Sequence, residues 1–391
     1  MKLYISETAK ADKNIVVDDM MLTTDMPTSA GSKMLDGYMS LFEAEAVTKL
    51  KKNGYTVYAK ANTGEMGLDL LGETSFYGEY TDENAILVNP LAQAVKSGDA
   101  MAGVALEVNG AYTRAAALTG LTFVKPTYGT VSRFGTIPAV CSGETVGVMA
   151  GDIATAKEVL TAIKGHDDKD GTSLPQEKCL LGEAVPVKKI AVAKSLVDAA
   201  EADVKAMVDA VKEKAAAQGI EVVEVEAETL LLAKSAWNIL MAAEVCNNVS
   251  KYDGVKYGYR SPNYTNIDEL YTNSRTEAFG YLLKSTILYG SETLSEANYY
   301  KVYDKAQRIR RVISEYFTGL FNEFDAVIAP CCSKTEYDAQ AVKANPYTAY
   351  EESLFTAPAM ITGLPVVSTK GVQIIGAPLS DATLMALAET L

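Results

Sequence analysis

An α/β fold with a mixed or mostly parallel sheet is what this chain predicts, on three observations. Short apolar runs of strand length alternate with longer stretches whose apolar residues recur at helical spacing. Hydrophobic residues make up 48% of 391, enough to bury a sizeable core. No repeat, low-complexity linker or composition break divides the chain, so residues 1–391 read as one large domain.

The elements follow in order. "LFEAEAVTKLKKNGYTVYAKANTGE" (41–65) reads as helix, stop and strand: Val47 and Leu50 lie on an apolar stripe, Gly54 closes it, and "TVYAK" is the strand. "VALEVNGAYTRAAALTG" is a strand, a glycine-bearing turn and a small-residue helix, leading into "KPTYG" (125–129). "GDIATAKEVLTAIKGHD" is an amphipathic helix with Ile153, Ala156, Val159, Leu160 and Ile163 on one face. "VKKIAVAKSL" is a buried strand. A helix striped by Val204, Met207, Val208 and Val211 comes next, then the strand "GIEVVEVE". About 228–324 reads as a Tyr-rich, largely helical insertion. "FDAVIAP" is a buried strand ending at proline, and "STKGVQIIGAPLSDATLMALAETL" a closing strand and helix. Met20, Met21 and Met360 read as core.

Composition narrows the function. A net charge of −14 repels phosphate backbones, so no direct nucleic-acid binding is expected. No apolar run is long enough to predict a membrane span, and "MKLYISETAKADKN" has no signal-peptide core, so the expected location is cytoplasmic. The five cysteines (Cys141, Cys179, Cys246, Cys331 and Cys332) contain no C-x-x-C pair. The single histidine, His166, reads as a loop residue, which leaves no basis for a His triad. No metal site and no cofactor are expected. A nucleotide-binding reading is weak, since no G-x-G-x-x-G follows a strand.

Seven ordered segments resemble the amidase signature family: "GLTFVKPTYGTVSRFGTIP", "KGHDDKDGTS", "CNNVSKYDGVKYGYRS", "RTEAFG", "YYKVYDKAQRIRR", "FDAVIAP" and "LFTAPAMITGLP…GVQIIGAPLSDATL". The likeness runs from Ile15 to Leu384. It implies a mixed sheet flanked by helices on both faces. It also implies amide hydrolysis or glutamine-dependent amide transfer by a Ser–Ser–Lys triad, in which a neutral lysine works through a relay serine to activate the nucleophile. Against the family pattern, an N-terminal helical stretch is missing and the chain stops soon after the last shared helix. The apolar surface those parts would cover is expected to be bare.

The triad positions are degenerate. Asp18 stands where the resemblance places the lysine, with Asp19 after it. Asp18 is expected to be ionised at neutral pH and a weak base, since an ordinary aspartate titrates near ~3.9. The Gly/Ser loop of the relay serine is absent, and spacing puts that position near Leu87. Leu87 or Val88 is expected to fill the vacated space and leave a shrunken, drier cavity under Ala111. Ala111 takes the nucleophile's place, and Asn109 replaces one of the two turn glycines. Four other residues carry hydroxyl or thiol groups near the shared segments. These residues, Cys141, Ser142, Cys331 and Cys332, read as small, semi-buried side chains at strand ends rather than as substitutes.

Two substrate-binding positions survive as vestiges. Arg310 matches an arginine that clamps a substrate α-carboxylate, which makes it a candidate site for an amino-acid or amide ligand. Tyr259 matches a substrate-contacting tyrosine. Their partner acid is replaced by Ser353, with Glu351 and Glu352 near. Asn62, Glu65 and Glu73 match residues that support the fold around the site. The chain therefore reads as a catalytically deficient amidase-family protein that binds ligands or subunits, forming a homo-oligomer or holding a protein partner. The alternative is an active amidase, or an active amidotransferase component, with rebuilt chemistry.

Overall fold

Two-sided strands decide the architecture. In the strand Asn14–Asp18 of the computed structural model, which describes residues 2–391, Ile15 and Val17 face one core and Val16 faces another. A strand that is apolar on both faces has to be covered on both faces. Eleven strands form one sheet: β1 (Tyr4–Glu7), β2 (Asn14–Asp18), β3 (Thr56–Ala61), β4 (Ala102–Glu107), β5 (Thr122–Lys125), β6 (Thr145–Ala150), β7 (Lys189–Ala193), β8 (Glu221–Val225), β9 (Ala326–Pro330), β10 (Val366–Thr369) and β11 (Val372–Ile375). Their order is β1-β3-β2-β4-β6-β5-β10-β11-β9-β7-β8. β2 runs parallel to β3 and β4, and β7 to β8 and β9. The other pairs are antiparallel, so the sheet is mixed.

Helices cover both faces. Glu45–Lys52 and Ile153–Ile163 pack into the larger core through Val47, Leu50, Val159 and Leu160. Pro90–Lys96 and Ala111–Thr119 pack into the other through Leu91, Tyr112 and Ala115. Between 228 and 324 the chain forms the helices Glu228–Asn248, Ile267–Ala278, Tyr281–Thr293 and Asp304–Phe321.

The structure revises some element readings. The strand in "VKKIAVAKSL" stops at Ala193, and Lys194–Asp198 turns into a helix. The closing stretch holds a second strand: β10 and β11 form a hairpin whose two-residue turn puts Lys370 at φ +51° and Gly371 at φ +86°. β1 has no counterpart in the sequence pattern, because "YISE" is half-exposed edge strand with little apolar signal. One helix is longer and more apolar than the sequence reading singled out. Glu228–Lys251 is long and apolar enough by composition alone to cross a bilayer. Half of its most apolar window is buried, with Leu230, Trp237 and Leu240 in the core, as in the central helix of a bundle.

Candidate functional site

Parallel pairing brings the carboxyl ends of β2, β3 and β4 together, the edge where open α/β sheets place their sites. Asp18 ends β2 and is fully buried. Its Oδ2 accepts from the Leu106 amide at 2.8 Å and the Tyr112 hydroxyl at 3.2 Å. Its Oδ1 is buried with no hydrogen-bond partner. Burial outweighs these bonds and raises the Asp18 pKa to about 7. The expectation of a carboxylate ionised at neutral pH is thus corrected: near pH 7 the group is divided between acid and carboxylate. A lysine does stand beside the pair of aspartates. Lys60, buried in β3, lies 3.6 Å from Asp19 Oδ1 and donates to Thr28 Oγ1. Burial holds its pKa below the usual lysine range. Ser29 donates to Asp19 through both its amide and its hydroxyl. A lysine inside the apolar strand "TVYAKA" is the sequence signal that points to this cluster.

After β4 the chain turns through Val108-Asn109-Gly110 into the helix that starts at Ala111. Gly110 sits at φ +83°, and a Cβ there would overlap the Thr356 side chain. Only glycine fits this position. Asn109 is fully buried and used on both sides. Its Nδ2 donates to the Leu68 carbonyl at 2.9 Å, and its Oδ1 accepts from the Trp237 indole at 3.0 Å. Glu107 Oε2 accepts from the Thr113 amide at 2.8 Å and hydroxyl at 2.9 Å, which caps the first turn. Arg114 is fully buried and donates to the Asn109 carbonyl at 2.8 Å. Ala111, 6% exposed, brings only a methyl group to the start of the helix.

Leu87 is buried, and its amide donates to the Tyr337 carbonyl at 2.8 Å. It packs with Tyr112, Ala115 and Tyr337. Beside it lie two cavities, of about 410 and 320 Å³, and Leu87 lines both. Ala111 lines neither of them. Glu73 lines the larger cavity, and burial with Asp69 alongside pushes its pKa up. Glu65 accepts from Ser32 Oγ at 2.6 Å and the Gly280 amide at 2.8 Å, with its pKa raised by burial to about 7. Asn62 accepts from Ser75 Oγ at 2.5 Å.

Arg310 and Tyr259, expected as substrate-binding positions, are bonded within the protein. Arg310 donates to Ser142 Oγ at 3.2 Å and to the Ser142 carbonyl at 3.0 Å. Glu244 accepts from the Ser142 hydroxyl and, at 3.0 Å, from its amide. Tyr259 donates to Glu277 at 2.8 Å and lies under Lys33 Nζ at 4.1 Å from its ring centre. Ser353 is buried and donates to the Tyr350 carbonyl at 2.7 Å. Cys331 and Cys332 are buried, and burial lifts the Cys331 thiol to about 12 and Cys332 well above its ordinary value. Neither is disposed to form a thiolate.

Residues 14–385 match the amidase family model. The chain belongs to the amidase family. It is 32% identical over 375 residues to the A subunit of glutamyl-tRNA(Gln) amidotransferase from Latilactobacillus sakei subsp. sakei (strain 23K), covering 93% of this chain and 77% of that one. The corresponding A subunit of Streptococcus pneumoniae (strain 70585) is 31% identical over 390 residues, covering 95% and 80%. The crystal structure of the glutamyl-tRNA(Gln) amidotransferase A subunit from Thermotoga maritima superposes with a TM-score of 0.82 at 25% identity, over 99% of this chain and 86% of that one. The amidase-family chain is therefore like an amidotransferase A subunit in both sequence and fold.

Proposed function

We propose that this amidase-family protein is catalytically deficient and uses the fold as a binding or subunit-interaction module in the cytoplasm. The observation that carries this reading is the turn at Ala111. No nucleophilic atom stands there, and the turn's polar groups are committed to Trp237, Leu68 and Arg114. Loss of a nucleophile typically costs several powers of ten in rate. Relatives named as an A subunit support a partner or a second copy.

One observation favours rebuilt chemistry: Asp18, at about 7, could take or give a proton near neutral pH. Its bonded neighbours are an amide and the Tyr112 phenol, whose own pKa is raised by burial, so no group beside it is poised to attack. The deciding assay is ammonia release from glutamine and asparagine by purified protein. Background rates are expected. Turnover at enzymatic rates, lost in Asp18→Asn, would establish the rebuilt site instead. Light scattering should show an oligomer or a stable complex, and a partner-free monomer at micromolar concentration would remove the interaction half of the reading.

A further inference from the structure

Two segments far apart in sequence close over a groove that none of the degenerate catalytic positions lines. One is the stretch around Leu35–Phe42, the other Lys251–Gly258, and the cavity between them has a volume of about 470 Å³. That is the size range of small-molecule sites. Leu22, Ile137 and Pro138 contribute apolar surface, and Tyr38, Phe42 and Tyr252 add aromatic rings. The only charged side chains on its lining are two cations, Lys251 and Lys256.

The charge is the informative feature. The protein carries 50 acidic residues against 36 basic, so carboxylate partners for surface lysines are abundant. Nine of the 29 lysines take one, as Lys169 does with Glu45 and Lys51 with Glu43. Among the described residues, neither Lys251 nor Lys256 has a carboxylate within 4.0 Å. The acids nearby are used otherwise. Glu144 pairs with Arg133 at 2.7 Å. Asp253 Oδ1 accepts the backbone amides of Val255 and Lys256, at 2.8 and 3.0 Å. Asp36 lines the adjoining cavity rather than this one and accepts from Tyr77 at 2.6 Å.

The walls are set in place before any ligand arrives. The Tyr259 amide donates to the Met34 carbonyl at 2.7 Å, which ties one wall to the other. Gly258, at φ +80°, lies so close that an added Cβ would overlap Met34 Sδ. Arg275 donates to the Tyr252 carbonyl at 2.8 Å and the Val249 carbonyl at 3.2 Å, which holds the segment that carries Lys251. A preformed site loses little to ordering when it binds.

From this pairing of an apolar, aromatic interior with a cationic rim that holds no carboxylate, Lys251 lying over the Tyr252 ring at 5.2 Å from its centre, we infer that the groove binds a small amphipathic anion: a carboxylate head at Lys251 and Lys256, with an aliphatic or aromatic body against Ile137 and Tyr252. The inference deepens the binding-module reading but does not depend on lost catalysis, so the ammonia assay and the binding test fail independently.

The test is calorimetric titration of the full chain with octanoate, octanol and octylamine. Octanoate is expected to bind more tightly than octanol, and octylamine most weakly. Lys251→Met with Lys256→Met should weaken octanoate roughly fivefold or more and leave octanol unchanged, since each substitution removes one exposed ion pair with the carboxylate. Ile137→Trp should abolish binding of both by filling the groove. The lysine variant changes only groups without a carboxylate partner and should melt like the parent, so it keeps the test decisive even if Ile137→Trp misfolds. Equal affinity for octanoate and octanol, unchanged octanoate binding in the lysine variant, or no octanoate binding at millimolar concentration would each overturn the inference.

Discussion

Two connections leave the same sheet and have fared differently. The segment after β5, Lys125–Gly129, keeps a bonding pattern of long reach. Thr127 gives its amide and hydroxyl to Asp381 at 2.9 and 2.7 Å, Asp381 also pairs with Lys164 at 3.3 Å, and the buried Lys125 donates to the Leu364 carbonyl. The turn after β4, Val108–Ala111, is held by other links: Asn109 to Trp237, Tyr112 to Asp18, with a methyl at Ala111. The difference teaches that a backbone path persists as long as its polar groups are satisfied and its volume is filled. Chemistry is not needed to hold it.

The sharpest way to break the comparison is to remove the indole that holds the rebuilt turn. Trp237→Ala should destabilise by about 3–5 kcal/mol, through the cavity it leaves and the orphaned Asn109 oxygen. Trp237→Phe keeps the bulk but loses the donor, and should cost about 1–2 kcal/mol. Denaturant midpoints at constant m would measure both. A loss below about 1 kcal/mol for the alanine variant would mean that the turn is held by something else.

The retained segment offers a matched control. Asp381→Ala strips Thr127 of its acceptor and leaves Lys164 buried and unpaired. A loss of about 3 kcal/mol is expected by the same denaturation. Similar losses in the two regions would place the rebuilt turn and the retained segment on an equal structural footing, and a far smaller one here would break the symmetry.

A third expectation concerns pH. Asp18 and Glu65 titrate at about 7 in the folded protein, well above the ordinary carboxyl range, because burial disfavours their charge. Between roughly pH 4 and pH 7 the folded state therefore holds protons that the unfolded state has released. Their contribution is fully present below the unfolded value and is lost as pH rises through 7. Denaturation midpoints should fall between about pH 4 and 7 and level off above about pH 8. Asp18→Asn, which copies the neutral acid, should flatten that fall. An unchanged slope would show that Asp18 is ionised across the range.

The smallest effect should come from Ala111→Ser. Asp18, the group that titrates near 7, is bonded to Leu106 and Tyr112 rather than to position 111, so ammonia release should stay at background and stability within about 1 kcal/mol of the parent. A measurable gain in rate would show that the machinery around the turn is more complete than its hydrogen bonds suggest.

Much of this is legible in the sequence. Helical stripes such as Ile153–Ile163 and buried strands such as "FDAVIAP" carry their periodicity in the chain itself, and both form as expected. The absence of a nucleophilic side chain at Ala111 is likewise a fact of one position. Other features are out of reach. The β10–β11 hairpin reads as one strand because its turn consists of Lys370-Gly371, a weak marker inside an apolar run. Arg310 stands out by resemblance, but its engagement with Ser142 joins residues from a helix and a loop 168 positions apart.

Sequence alone determined the fold class and the family, because apolar period and residue identity are local properties written position by position. Tertiary structure decided the rest: the Asn109–Trp237 link, the Lys60–Asp19 pair, the raised pKa of Asp18 and the cationic groove at Lys251 and Lys256. Each depends on which groups the folded sheet and its helices bring within a few ångströms, and on how much water they exclude. Desolvation and partnership belong to the surroundings of a residue, and those surroundings exist only once the chain has folded.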